Sequence, residues 1–203
     1  MLIGGIEEAI TEILNWKYTK EEVDYLLKLG IITEKFAKYL KNFQFSGDVY
    51  AMPEGTIAFP GEPVLRITAP IIEGNLLTLF LINAISGNTA FFSKFIRCKL
   101  VAQDKRLTGP GGIRAQSFES GMKASRAAYA CGFAQVLPSF YRKYNLEQQA
   151  PIVIAYHAYI KSFPTEIEAM RTITDMFPIA TLMVDTYDFD EGVNNAITVA
   201  LEL

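Results

Sequence analysis

The sequence predicts an α/β protein with a small antiparallel sheet in its first half and a parallel sheet or barrel in its second. Three observations predict this. Two apolar runs, Pro151-Ile-Val-Ile-Ala-Tyr-His157 and Ile179-Ala-Thr-Leu-Met-Val-Asp185, have turn signals around them and read as buried parallel strands. Thr165 to Met176 lies between them and reads as a helix, and strand and helix alternate from about residue 100 onward. Earlier, the short β-type runs Asp48–Met52, Thr56–Phe59 and Val64–Thr68 are separated by Pro53-Glu-Gly55 and Pro60-Gly-Glu-Pro63, the turn spacing of an antiparallel sheet.

Taken in order, Gly4 to Trp16 carries Ile6, Ile10, Ile13 and Leu14 at helical spacing. Thr19 with Glu22 is a capping-box pattern and opens a second helix that Gly30 ends. Thr33 to Asn42 reads as a third. After the β-type runs, Pro70 gives way to a long apolar segment, Ile71 to Arg97, which reads as a buried helix pair with a break at Gly87-Asn88. Leu100 to Leu107 reads as a strand and its exit, Thr108-Gly-Pro-Gly-Gly112 as a loop, and Ser117 to Tyr129 as a helix with the small-residue run Ala124-Ser-Arg-Ala-Ala128. Pro138 to Gln149 reads as helix plus loop, and Glu191 to Leu203 as a last helix. This order divides the chain into residues 1–98 and 99–203.

Half of the 203 residues are hydrophobic and 20% are charged, enough to bury a substantial core. The net charge of -3 and a pI near 5.3 provide no basic field for a nucleic acid. Cys98 and Cys131 share no metal or redox spacing and read as reduced core cysteines. The start of the chain lacks a signal-peptide pattern, and the apolar stretch Leu76 to Ile85 is shorter than the roughly 20 residues of a membrane span. A soluble, cytoplasmic protein is the expectation.

In parallel α/β folds, ligands bind at the carboxyl ends of the strands. His157, the only histidine, ends the first apolar run, and Asp185 and Asp188 end the second. An imidazole is nucleophilic when neutral. Paired carboxylates can hold Mg²⁺ or sugar hydroxyls, although Asp188 also stands where a helix cap belongs. Thr108-Gly-Pro-Gly-Gly112 has neither the lysine of a phosphate loop nor dinucleotide spacing, and reads as a turn. Lys94 and Arg97 read as a solvated helix face, and Pro53-Glu-Gly55 as turn chemistry alone.

A longer set of motifs resembles the nicotinate phosphoribosyltransferase family. Phe45-Ser-Gly-Asp-Val-Tyr-Ala-Met-Pro-Glu-Gly-Thr-Ile-Ala-Phe-Pro-Gly-Glu-Pro63 is similar to its N-terminal sandwich domain. Arg114-Ala-Gln with Ala124-Ser-Arg-Ala-Ala-Tyr129 is similar to its arginine-bearing strand end and following helix. Ala155-Tyr-His157 with Ser162-Phe-Pro164 resembles the strand that ends in the family's phosphorylatable histidine, and Val184-Asp-Thr-Tyr-Asp188 with Glu191-Gly-Val-Asn-Asn-Ala-Ile197 resembles the next strand, its acidic end and its helix.

The resemblance implies a β-sandwich-like N-terminal domain with flanking helices and an incomplete (β/α) barrel. It implies nicotinate, phosphoribosyl diphosphate and ATP as substrates, Mg²⁺ as cofactor, and a homo-oligomer. It makes His157 the catalytic phosphohistidine. Arg114 pairs with the nicotinate carboxylate or a donor phosphate, and Asp185, Thr186 and Asp188 bind substrate, with Asp185 also holding the metal. It also implies departures. The family's further N-terminal segment and the Gly-rich phosphate loops beyond this C-terminus have no counterpart here. Gly109-Pro-Gly-Gly-Ile-Arg114 replaces an acid-Phe-Gly-x-Arg-Arg pattern, Gln135-Val-Leu-Pro138 replaces Gly-Thr-Ser-Asn, and Ala158 replaces a Ser or Thr. The expectation is a shortened member, with two alternatives: a related enzyme acting on nicotinamide or quinolinate, or a non-catalytic partner of a separate C-terminal half.

Overall fold

The computed structural model describes residues 1–109, 114–134 and 153–203. The chain divides into two compact units, Met1–Leu146 and Glu147–Leu203. The expected division after residue 98 falls inside a continuous helix. The readings of Pro110 to Ile113, Gln135 to Pro138, Pro138 to Gln149 and Pro151-Ile152 lie outside the described residues.

Three short helices open the first unit: α1 (Ile6–Asn15), α2 (Lys20–Lys28) and α3 (Glu34–Lys41). Local chemistry sets their ends. Thr19 Oγ1 accepts from Glu22 N at 3.2 Å, while Thr19 N donates to Glu22 Oε2 at 2.7 Å, completing the capping box. That backbone bond holds the Glu22 carboxyl below the ordinary carboxylate range. Thr33 caps α3 through Phe36 N at 3.3 Å. Val23, Ala37 and Leu40 form the core between α2 and α3.

Strands β1 (Asp48–Ala51) and β2 (Leu65–Thr68) pair antiparallel, with Asp48 opposite Thr68 and Ala51 opposite Leu65. The Thr56–Phe59 run makes a single isolated bridge, Leu2 to Ile57, rather than the expected strand. Its partner lies at the other end of α1's approach: Ile3 N donates to Thr56 O at 2.9 Å. Residues before α1 thereby pair with the segment around Ile57, a pairing invisible to local pattern.

Helix α4 (Ile71–Ala102) runs for 32 residues without a break. Gly87-Asn88 was expected to interrupt it, and Leu100 to form a strand. Asn88 is fully buried, and its amide donates to Ala84 O at 2.8 Å and to Glu8 Oε2 at 3.0 Å. The side chain therefore staples the helix to itself and to α1 instead of ending it. The helix stops at Gln103, whose φ is 53°. By length and composition alone α4 could cross a membrane. In the fold it is the central helix of its unit, with Glu73 accepting from Ser46 N and Oγ and with Thr89 and Ser93 accepting from the backbone N–H groups of Gly4 and Leu2. Helix α5 (Phe118–Ala130) packs on α4, and the small residues Ala127 and Ala128 let it approach Phe92 and Phe95 closely. Ser117 caps α5 through Ser120 N. Both cysteines are free; Cys131 is buried as expected, whereas Cys98 is exposed because it falls on an outward position of α4.

The second unit contains β3 (Ile154–Ala155), α6 (His157–Ile160), α7 (Glu166–Met176), β4 (Thr181–Leu182) and α8 (Phe189–Glu202). This is the expected strand–helix–strand unit. The strands pair parallel, Ile154 opposite Thr181 and Ala155 opposite Leu182. Ala155, Ile160, Ala169, Met170, Ile173 and Val199 form its core. The fold is mixed α/β. The described residues hold one two-stranded antiparallel sheet and one two-stranded parallel sheet, less than the expected sandwich and barrel require.

Candidate functional site

Parallel pairing brings the carboxyl ends of β3 and β4 to one edge. β3 runs through Tyr156 directly into His157, the first residue of α6. Beyond β4 the chain passes through Asp185 and Thr186 to Asp188, which caps α8. The His157 side chain is 47% exposed and the Asp185 side chain 62%. Thr186 Oγ1 lies 3.2 Å from His157 Nδ1, within hydrogen-bond distance. Asp185 Oδ1 lies 3.9 Å from His157 Nε2. The imidazole thus stands between a hydroxyl and a carboxylate, each on its own ring nitrogen, with room for a ligand to reach it.

One glycine makes this turn possible. A Cβ on Gly192 would lie 2.1 Å from the Val184 carbonyl oxygen, so only glycine lets the first turn of α8 sit against the segment that carries Asp185 and Thr186. Asp188 Oδ1 accepts from Glu191 N at 2.9 Å and so has a structural role as the α8 cap. Of the four residues expected at the strand ends, His157, Asp185 and Thr186 come together, and Asp188 works on the helix.

Arg114 belongs to the first unit, in the turn that precedes α5, and is exposed. It lines an open cavity of about 320 Å³ with Phe91, Phe95, Gln116, Ser120 and Ala124. The Phe91 and Phe95 rings are stacked, with centroids 6.3 Å apart. A guanidinium beside a flat aromatic wall suits a planar acid.

Sequence reasoning missed Glu54. Its carboxylate, 14% exposed, accepts from Gly5 N and pairs with Arg126, itself 16% exposed. Arg126 also reaches Glu7 at 3.0 Å and lies over the Phe92 ring. Burial works against the Arg126 charge, but the Glu54 and Glu7 carboxylates outweigh it and drive its pKa upward. The available signal was Arg126 itself, a single charge among small residues on a face too tightly packed to leave it without a partner. Gly5, at φ 90°, supplies the amide in a backbone conformation that other residues rarely adopt.

Among the described residues, no group of three or more His, Cys, Asp or Glu side chains is arranged to hold a metal ion. Asp185 and Thr186 are nonetheless oxygen donors of the kind a hard cation takes, and Mg²⁺ commonly needs only one or two protein carboxylates beside phosphates and water.

The sequence profile of the nicotinate phosphoribosyltransferase (NAPRTase) N-terminal domain matches residues 1–86. Nicotinate phosphoribosyltransferase pncB2 of Mycobacterium tuberculosis is 29% identical over 206 residues, covering 100% of this chain and 43% of that protein. The Bacillus subtilis nicotinate phosphoribosyltransferase is 30% identical over 203 residues, covering 99% of this chain and 41% of its own length. The chain is similar over its whole length to members of the nicotinate phosphoribosyltransferase family. A solved structure, human nicotinic acid phosphoribosyltransferase, shares the fold at a TM-score of 0.81 and 22% identity, covering 98% of this chain and 50% of the human one. The chain therefore spans less than half the length of these two bacterial relatives.

Proposed function

We propose that this chain carries the histidine-bearing part of a nicotinate phosphoribosyltransferase site, one that joins nicotinate to the ribosyl 5-phosphate of phosphoribosyl diphosphate with ATP consumed alongside. The observation that carries the reading is the cluster of His157, Thr186 and Asp185 at one carboxyl edge of the parallel strands. In this reading His157 accepts the phosphoryl group of ATP and, as phosphohistidine, orients the phosphoribosyl donor. Thr186 fixes the ring through Nδ1. Asp185 binds the ribose hydroxyls or Mg²⁺, which when bound supplies charge stabilisation to the departing diphosphate. Arg114 pairs with the nicotinate carboxylate against the Phe91 and Phe95 wall. Asp188 contributes through the turn it caps.

The protein works in the cytoplasm as a homo-oligomer. The exposed apolar residues Leu79, Ile82, Leu100 and Val101 of α4 are its contact surface. Light scattering across a dilution series checks this, and a clean monomer at high concentration sinks it.

The test of function is product formation. The purified chain, with nicotinate, phosphoribosyl diphosphate, Mg²⁺ and ATP, is expected to yield nicotinate mononucleotide, and His157→Ala is expected to remove the ATP-dependent gain. An unchanged ATP response in folded His157→Ala would refute the phosphohistidine assignment.

A further inference from the structure

An aromatic-lined cavity of about 440 Å³ in the first unit lies away from Arg114. Two extended segments wall it, each following a helix: Trp16-Lys17-Tyr18 after α1 and Phe43-Gln44-Phe45 after α3. Each carries a ring, a polar residue and a ring in succession, and all six residues line the cavity. The rings are held by edge contacts, Trp16 on Phe80 at 5.2 Å and Tyr18 on Phe43 at 5.8 Å.

The polar groups at this cavity are unequally occupied. Lys41 is paired with Asp24 at 2.9 Å, and Asn42 donates to Lys38 O. Lys17 and Gln44 have no hydrogen-bond or ion-pair partner among the described residues. The backbone N–H groups of Lys17, Tyr18, Gln44 and Phe45 likewise donate to no protein acceptor among them. The walls thus offer aromatic surface, unpaired main-chain donors and one uncommitted cation. Small-molecule sites of a few hundred Å³ combine such surface with polar groups that fix orientation.

We infer that this cavity is a binding site for a planar heteroaromatic anion of mononucleotide size, with the ring against Trp16, Tyr18 and Phe45 and the anionic group on Lys17. The inference is independent of the His157 reading.

Trp16 is the only tryptophan, so intrinsic fluorescence reports on this cavity alone. The experiment titrates AMP, adenosine and inorganic phosphate into the full chain, exciting tryptophan outside nucleotide absorption. AMP is expected to give a saturable change, adenosine a weaker one and phosphate none. Lys17→Glu alters an exposed side chain and is expected to weaken AMP by about tenfold, the loss of one charged contact. Phe45→Ala is expected to weaken it further, with circular dichroism confirming the fold of both variants. His157→Ala is expected to leave AMP affinity unchanged. Absence of a saturable change overturns the inference, as does a change that survives both cavity variants or disappears in His157→Ala. Failure of the phosphoribosyl reaction leaves these outcomes untouched, so the two readings fail separately.

Discussion

The buried polar groups of the first unit are committed to one another, whereas the candidate-site polar groups of the second are held at the surface with few partners. Glu54 and Arg126 close a part-buried ion pair that also binds Gly5 and Glu7, and Asn88, Thr89 and Ser93 tie α4 to α1 and the residues before it. His157 and Asp185 are about half exposed or more, and a single hydroxyl within bonding distance steadies the imidazole. A buried charge must be matched because desolvation is costly, so its partners reveal architecture. A polar side chain left open to water on an ordered strand edge contributes little to the fold and is available for chemistry. Removing polar groups should therefore affect stability in the first unit and function in the second.

The largest stability effect is expected at the ion pair. Glu54→Ala leaves Arg126 largely buried with only the exposed Glu7, and should cost about 3 kcal/mol in urea unfolding of the first unit. A change below the noise of the midpoint would erase the contrast. Next comes Gly192→Ala, whose methyl would strike the Val184 carbonyl. Overpacking of this kind costs about 2 kcal/mol, and the strain falls on the segment bearing Asp185 and Thr186, so hydrogen exchange there should quicken while α7 stays protected. Asp188→Ala removes the α8 cap and should cost about 1 kcal/mol by the same measurement. His157→Ala should change stability by less than about 0.5 kcal/mol, as exposed substitutions do. A larger loss would assign His157 to the fold.

The smallest effect concerns pH. The Thr19 backbone bond lowers the Glu22 carboxyl, so the folded state favours its ionised form. That stabilisation is present above the ordinary carboxylate range and is lost as pH falls through the lowered value. The group is solvent-exposed, so the effect is small. It should appear as a shallow acid-side fall in α2 helicity that Glu22→Gln removes, and persistence of the fall in that variant would point to another carboxylate.

Legibility in the sequence followed distance along the chain. The cap at Thr19 was readable because donor and acceptor lie three residues apart. The continuity of α4 was not, because Glu8, which engages Asn88, lies 80 residues away. Glu54 looked like turn chemistry for the same reason, its partner Arg126 being 72 residues on. The Thr56–Phe59 run had the composition of a strand, but the bridge it makes is set by Leu2, far from it in sequence. At the candidate site, the grouping of His157 with Asp185 and Thr186 was legible because parallel strands align their carboxyl ends. The open choice at Asp188 could not be narrowed from residue type alone, since the same carboxylate serves a cap or a ligand equally well.

The contacts made by the residues before α1 also order events during synthesis. Leu2 and Gly4 leave the ribosome long before α4 does, yet Leu2 bonds to Ser93, 91 positions later, and Gly4 to Thr89, 85 positions later. Translation adds roughly 5–20 residues per second, so these residues wait several seconds for their partners. Until α4 is complete, Ile3 and Ile6, both buried in the finished fold, remain available to chaperones. An early-made segment is thus among the last to be placed, and closing it over α4 completes the first unit.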